Sequence, residues 1–437
     1  MTIRMKNSDI EWIGEIPIDW EVVPIKYHFF SKKQIAGIFA DNYERLALTL
    51  NGVIKRSKQD SEGLQPEKFE TYQIVRKNDL IFKLIDLENI KTSRIGLSKY
   101  IGIVSPAYIL LTRKGDILPE YAEKYFLNMW YQHIFNDLGS AGVRSNLNKE
   151  DLLNLPIVKP PIIEQKRINK FLNTKINIID DEINQLEKLI EKYNEYKNSV
   201  ITEVVTSGLD NNIKLKNSNI DWIGKIPEHW EIKKLNYVSS DENHSFSDGP
   251  FGSDLKNEEY VDEGIPIIQL NNIKAGFHDF TNEHYITEEK YNQLKKHSVK
   301  PGDIVIAKMA PVARATIVSD KYEKYVIVAD CIKLNCNSNF LNKYVTYSLN
   351  SYMYHDAVQK AKGITRLRIN LSELKKIKVL MPPIDEQHEI VEYLDKKCDL
   401  IDSLIKEKEQ LIDNLENYKR SLIFEYVTGK KEVPHEI

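Results

Sequence analysis

Residues 160–206 read PPIIEQKRINKFLNTKINIIDDEINQLEKLIEKYNEYKNSVITEVVT, and residues 382–428 read PPIDEQHEIVEYLDKKCDLIDSLIKEKEQLIDNLENYKRSLIFEYVT. Laid on each other without a gap, at an offset of 222, they agree at 21 of 47 positions. The first copy sets Leu172, Ile176, Ile179, Ile183, Leu186, Ile190 and Tyr193 at alternating spacings of four and three, the seam of a coiled coil. Leu394, Ile401, Ile405 and Ile412 carry the same seam in the second copy, where Lys408 replaces Leu186 and makes the seam imperfect, a device that can specify register. A helix of about 40 residues at 1.5 Å per residue is a rod of ~60 Å, far longer than an ordinary globular helix. A proline pair opens each rod, Glu164 and Glu386 suit the positive end of the helix dipole, and Gly208 and Gly429 fall where a C-terminal cap belongs.

Working outward, a second repeat precedes each intervening region. Residues 7–22, NSDIEWIGEIPIDWEV, match residues 217–232, NSNIDWIGKIPEHWEI, at 10 of 16 positions, including the tryptophan pairs Trp12/Trp222 and Trp20/Trp230. Pro17 and Pro227 exclude a continuous helix, so both are read as docked lead-in segments whose indoles pack on the following domain or the rods. The chain is thus a tandem duplication. Its parts are an N-terminal domain over 1–159, a first helical region over 160–206, a linker over 207–217, a second domain over 218–381, a second helical region over 382–430 and a tail over 431–437. Short β-rich runs such as GDIVIAK and KYVIVADCIKL precede helical runs such as PEYAEKYFLNMWYQHIF and NKYVTYSLNSYMYHDAV, so each domain is α+β. The expected architecture is two mixed α/β domains joined by two long helices packed as an antiparallel intramolecular coiled coil with pseudo-twofold symmetry. Parallel packing is left open by the sequence.

Composition narrows the function classes. The chain of 437 residues is 42% hydrophobic and 29% charged, enough for several domains with real cores. No apolar run approaches a membrane span and the N-terminus has no signal-like apolar stretch, so no membrane association and a cytoplasmic location are expected. Three cysteines without a CxxC pair, and ten histidines without HxxxH or HExxH, argue against disulfides and against a metal site. The net charge of -3 is unevenly spread: residues 1–159 carry 22 basic and 20 acidic groups, residues 206–381 carry 24 and 22, and the rods hold the negative excess. That distribution permits nucleic-acid binding by the globular domains without demanding it.

The doubled P-P-x-x-E-Q helix start, the IEWIGEIPIDW and IDWIGKIPEHW segments, and DGPFGSDLK over 248–256 with GIPIIQLNNI downstream resemble the specificity subunit of type I restriction-modification systems over essentially the whole chain. The resemblance implies two target recognition domains, each reading half of a bipartite site in double-stranded DNA, with the rods as the family's conserved helical regions that set their separation. It implies docking of two modification (methyltransferase) subunits and, in systems that have them, two restriction subunits. Cofactors are then expected outside this chain: S-adenosylmethionine on the modification subunit for adenine methylation, ATP and Mg²⁺ on a restriction subunit. This chain departs from the pattern in its first domain, which has SKKQIAGIFADNYERLALTL where the second has DGPFGS, so contacts inferred from that loop carry over to the second half alone.

The residues themselves agree with a non-catalytic chain. There is no N/D-P-P-Y/F motif, since Lys precedes Pro160-Pro161 and Met precedes Pro382-Pro383, and no GxxxxGK[ST]. DNA reading needs donors for base edges and cations for phosphates. Arg144, and Arg366 with Arg368, lie in glycine-containing segments just before each rod and suit guanine or phosphate, or else a salt bridge that orients domain on rod. Gln269, Asn271 and Asn272 could present amides to adenine or simply form a turn. Ser247, Gly249, Phe251, Gly252 and Ser253 form a loop suited to close approach to a phosphate, with a plain β-turn as the alternative, and Lys256 and Lys308 are phosphate candidates. The rods, through Leu172, Ile179, Ile183, Ile190, Leu394, Ile401, Ile405 and Ile412, serve as spacer and partner-docking elements. The competing readings are a coiled-coil scaffold that does not bind DNA and a stand-alone nucleic-acid-modifying enzyme.

Overall fold

The computed structural model of the protein describes residues 4–60, 68–85, 87, 93–139, 146–363 and 366–434. The two seams fold as helices Ile162–Ser207 and Ile384–Val427. Compact packing divides the chain into a first unit, Met1–Glu187 with Glu409–Ile437, and a second, Lys188–Lys408, so each long helix gives one part to either unit. Along both helices the seam positions are buried or half-buried while most of the positions between them are exposed, as a 3.5-residue repeat requires.

In the first unit the two helix segments run antiparallel. Phe171 packs on Tyr426 with ring centroids 4.5 Å apart, and further along Asp180 pairs with Lys419 at 2.5 Å. Their apolar faces close on the domain in one core that includes Trp20, Tyr121, Phe126, Leu172, Ile179, Leu422 and Val427. The domain has two four-stranded sheets. One runs Gly52–Arg56, Arg45–Thr49, Gly102–Val104, Gln73–Val75, with the middle pair parallel at Arg45 and Ile103. The other runs Phe29–Phe30, Ile109–Arg113, Leu80–Phe82, Ile95–Leu97, all antiparallel.

The second unit repeats this plan strand for strand. Its sheets are His284–Ile286, Ile265–Ile268, Tyr325–Ile327, Ser298–Val299, again with a parallel middle pair, and Phe246–Asp248, Cys331–Leu334, Ile304–Ala307, Ala315–Ile317. Here too the helix segments are antiparallel: Lys197 pairs with Asp402 at 2.6 Å, and the end of the first helix meets the start of the second around Trp230. Both helical runs expected late in the domains break once. His133 takes a left-handed φ of 59° between Pro119–Tyr131 and Ile134–Leu138, and Ser351 separates Asn342–Leu349 from Tyr352–Lys360.

The sequence motif at each rod start has a physical explanation. Trp20 Nε1 donates to Glu164 Oε2 at 2.9 Å, and Trp230 Nε1 donates to Glu386 Oε2 at 2.8 Å. Gln165 Nε2 donates to the carbonyls of Pro160 and Asp116 while its Oε1 accepts from Leu118 N; Gln387 does the same with Pro382, Asn339 and Leu341 N. Leu118 and Leu341 each precede a domain helix whose first N–H groups have no capping side chain, and the rod's glutamine satisfies a half-buried donor at that helix start. At the rod ends, Tyr121 Oη donates to Val427 O and Tyr344 Oη to Val205 O. The lead-in segments are small hairpins, Met5–Asn7 with Glu15–Pro17 and Leu215–Asn217 with Lys225–Pro227, so the last residues of the 207–217 linker belong to a strand.

Candidate nucleic-acid interface

In the second unit, the loop that leaves strand Phe246–Asp248 is fixed from beneath. Gly249 N donates to Cys331 O at 2.9 Å, and a Cβ at Gly249 would lie 2.0 Å from Val328 O, so glycine is required there by the crossing of two chain segments. His297 Nδ1 lies 2.8 Å from Asp248 O; a carbonyl only accepts, so this nitrogen carries the proton, and burial holds the imidazole pKa below its usual value. Asp254 N closes a turn on Phe251 O at 2.9 Å. The loop therefore presents Phe251 to solvent, 80% exposed. Beside it lies a cleft of about 380 Å³ whose lining includes Pro250, Phe251, Gly252, Gln269, Asn271 and Asp330.

Charge is placed around this cleft by pairing. Lys308 is buried, donates to Ala329 O at 2.7 Å and makes a 2.7 Å ion pair with Asp248. The segment just before the second rod folds back onto it, with Ile369 N donating to Lys308 O, and this brings Arg368 Nη2 to 2.8 Å from Asp330 Oδ1. Arg314 Nη2 donates to Leu270 O at 2.9 Å, and burial lowers its pKa. The ion pair of Arg368 is thus with its own domain, not with a rod. Anionic phosphate oxygens are the natural competitors of the carboxylates on Lys308 and Arg368, because carboxylate and phosphate oxygens both accept charge-assisted hydrogen bonds from lysine and arginine.

Of the residues expected from sequence, the structure gathers Phe251, Gly252, Gln269 and Asn271 at the cleft and sets Lys308 and Arg368 beside it. Gln269 is half-buried, with Nε2 on Tyr260 Oη at 3.3 Å, and Asn271 is exposed. Asn272 is buried and fully used by the fold: Oδ1 accepts from Gln269 N, and Nδ2 donates to Asp279 O and Thr281 O. It is the turn residue of the alternative reading. Ser247 Oγ is engaged with His244 O, Ser253 Oγ with Asp254, and Lys256 and Arg366 are exposed outside the cleft lining. Arg144 lies outside the described residues. Asp330 and Arg314 escaped the sequence reading, because nothing in VADC or APVARAT announces a partner for Arg368 or a brace on Leu270 O; Asp248 stood within the DGPFGS stretch without a role of its own. Among the described residues no three His, Cys, Asp or Glu side chains come together as a metal site would require, and no helix is long and apolar enough to cross a membrane.

On the rods, Leu172, Ile179, Leu394 and Ile401 are buried, whereas Ile183, Ile190, Ile405 and Ile412 are half-buried. Away from the seam, exposed apolar side chains recur at the repeat offset. Ile178 and Leu400 are each 56% exposed, and Tyr196 and Tyr418 are 49% and 54% exposed. One aliphatic and one tyrosine therefore fall in each unit.

Comparison with known proteins places this geometry. The family described as type I restriction modification DNA specificity domain matches residues 18–192 and again 227–414. The chain belongs to this family. It is 26% identical over 426 residues to the type I restriction enzyme MjaVIII specificity subunit of Methanocaldococcus jannaschii, covering 96% of this chain and 94% of that one. It is 22% identical over 451 residues to the EcoKI specificity subunit of Escherichia coli K12, covering 95% and 90%. A chain from structural work on complex assembly and conformational transition of the type I R-M system shares the fold with a TM-score of 0.69 at 16% identity, covering 95% of this chain and 99% of that one. Family membership favours DNA recognition over the scaffold and stand-alone-enzyme readings, and the doubled match falls on the two halves that the internal repeat defines.

Proposed function

We propose that this chain supplies DNA sequence specificity to a type I restriction-modification complex, with each domain reading one half of a bipartite duplex site and with no chemical step of its own. The observation that carries the reading is the cleft of the second domain, where an exposed aromatic, two amides and two ion-paired cations converge. Amides on Gln269 and Asn271 are the groups that recognise adenine edges, and Arg368 and Lys308 exchange carboxylate partners for phosphates as DNA arrives. Phosphate contacts would supply affinity and the cleft would supply discrimination.

The duplicated exposed side chains, Ile178 with Tyr418 and Leu400 with Tyr196, support two equivalent docking surfaces and hence two modification subunits. S-adenosylmethionine would be held by those subunits, and ATP with Mg²⁺ by restriction subunits where the system has them. The target adenine would leave the duplex toward the modification subunit rather than toward this chain. The long helices would set the unread spacer between half-sites, so adding heptads to both helices lengthens the spacer and leaves the half-sites intact.

The test is reconstitution with a modification subunit of the type I family that assembles with this chain. The expected result is S-adenosylmethionine-dependent methylation at one bipartite sequence by the complex and none by this chain alone, with DNA affinity falling steeply as salt rises. Methylation by the chain alone, or affinity indifferent to salt, would overturn the reading.

A further inference from the structure

Resting on that reading, a question remains about the first domain, whose sequence lacks the DGPFGS loop. The strand plan answers it. In the second unit the Phe251 loop connects strand Phe246–Asp248 of one sheet to strand Ile265–Ile268 of the other. The topological equivalents in the first unit are Phe29–Phe30 and Arg45–Thr49, and the segment between them contains the 3-10 turn Gly37–Asn42, GIFADN. The two segments share a spacing of glycine, any residue, phenylalanine: Gly37-Ile38-Phe39 and Gly249-Pro250-Phe251.

What the two segments do with their apolar side chains is also shared. Ile38 is 84% exposed and Phe39 is 59% exposed, beside 80% for Phe251. Exposure of this kind on a loose tail would mean little, but this segment is held firmly. Ala36 and Ala40 are buried in a small core with Tyr72 and Ile103; Ala36 N donates to Tyr72 O at 2.8 Å, and Ile74 N to Gln34 O at 2.7 Å. Cations brace it as well. Lys58 Nζ donates to Ala40 O at 2.8 Å and reaches Asp41 at 3.3 Å, Arg76 Nη2 donates to Gln34 Oε1 at 3.2 Å, and Lys33 Nζ donates to Pro106 O at 2.9 Å. The pairing of Lys58 with Asp41 parallels that of Lys308 with Asp248.

A rigid apolar tip bordered by lysine and arginine has a specific chemical use. Isolated exposed apolar side chains are ordinary, and a protein-docking patch would be expected to be broad and depleted of charge at its centre. A tip of two side chains set among cations instead suits the floor of a DNA groove, where phosphates meet the cations and an apolar group meets the methyl of thymine. We infer that Ile38 and Phe39 are specificity-determining residues of the first half-site, making apolar contact with base edges there, from the position that the exposed Phe251 holds in the second domain. The first domain thus reads DNA with the same connection as the second, filled with different side chains.

The full chain carrying Ile38→Ser and Phe39→Ser, co-expressed with its modification subunit, is compared with the parent by methylome sequencing and by DNA titration of the purified complex. The expected result is loss of the requirement for at least one base pair in the first half-site, or methylation of that site reduced about tenfold or more. The second half-site and the spacer stay unchanged, which also reports that the frame is intact. Should the double variant lose both half-sites, Ile38→Ser alone carries the test, since that side chain is almost wholly in solvent. Two outcomes overturn the inference: an unchanged methylated sequence with affinity within about twofold of the parent, or loss of subunit assembly while DNA binding by the chain itself is unchanged, which would make the tip a protein contact. A parental complex that methylates without any bipartite sequence would overturn the proposed function as well.

Discussion

The first and second units share their polar joints and differ in their exposed loops. Trp20–Glu164 and Trp230–Glu386, Gln165 and Gln387, and Tyr121 and Tyr344 make the same hydrogen bonds to corresponding atoms. Even the turn into the central buried strand is kept: Asn78 and Gly302 have φ of 70° and 91°, and Asp79 and Asp303 accept from Arg76 N and Lys300 N at 2.7 and 3.0 Å. GIFADN against GPFGSD is where the halves part. The contrast separates the atoms that build the frame joining domain to helix from those that the two halves leave free to differ.

The largest effect is expected at the shared glutamines. Gln387→Leu removes three hydrogen bonds and strands the Leu341 N–H, and Gln165→Leu does the same to Leu118. Each should cost about 2–4 kcal/mol of unfolding free energy in urea titration; a loss under about 1 kcal/mol in either half would break the claim that the motif is structural.

The helix-end glycines differ in degree, since both have positive φ but Gly429 is far more crowded than Gly208. An alanine Cβ at Gly429 would lie 2.3 Å from Pro17, whereas at Gly208 the nearest atom is the Trp230 ring at 3.3 Å. Gly429→Ala should therefore cost about 2 kcal/mol or more and Gly208→Ala about 1 kcal/mol, both by thermal and urea unfolding.

At the cleft, Asp330→Asn frees Arg368 from its carboxylate. Non-specific DNA affinity should rise by about 1 kcal/mol and discrimination at the second half-site should weaken, with the first unaffected. Competition binding against unrelated duplex measures both.

Acid should separate the units more gently. Burial lowers the pKa of two histidines in the second unit, His278 and His297, and of one, His28, in the first; neighbouring acceptors oppose the shift in each, Glu283 and Asp279 at His278, Asp248 O and Asp254 at His297, and Asp116 at 2.8 Å at His28. Above about pH 6.5 these groups are neutral in both states and their contribution is complete. As pH falls below that value the unfolded chain takes up protons first, so stability is lost. A thermal melt followed between pH 7 and 5.5 should show the second unit losing a few degrees more than the first. The smallest effect belongs to the ion pairs Asp180–Lys419 and Lys197–Asp402, equivalent at the repeat offset; removing either should cost under about 1 kcal/mol.

Much of the frame was legible in the chain because period and repetition survive without tertiary context. The seam spacing announced the helices, and the offset of 222 announced two of them. Strand order was not legible: the segments are two to five residues long, and the parallel pairing of Arg45–Thr49 with Gly102–Val104 joins positions that no local pattern links. Asn271 and Phe251 stand exposed and Gln269 half-buried at the cleft, whereas Asn272 looked the same in sequence and folded inward to close a turn. The kinship of the Ile38 and Phe251 loops stayed hidden because it lies at an offset of 212, not the 222 of the helices, and only the strand plan aligns it.

The most direct test of the central claim is methylome sequencing with the full chain bearing Gln269→Ala, Asn271→Ala and Arg368→Ala together, assembled with its modification subunit. The expected result is an altered or relaxed second half-site with the first half-site and the spacer unchanged. A change in both half-sites, a change in the spacer, or an unaltered methylated sequence would contradict it.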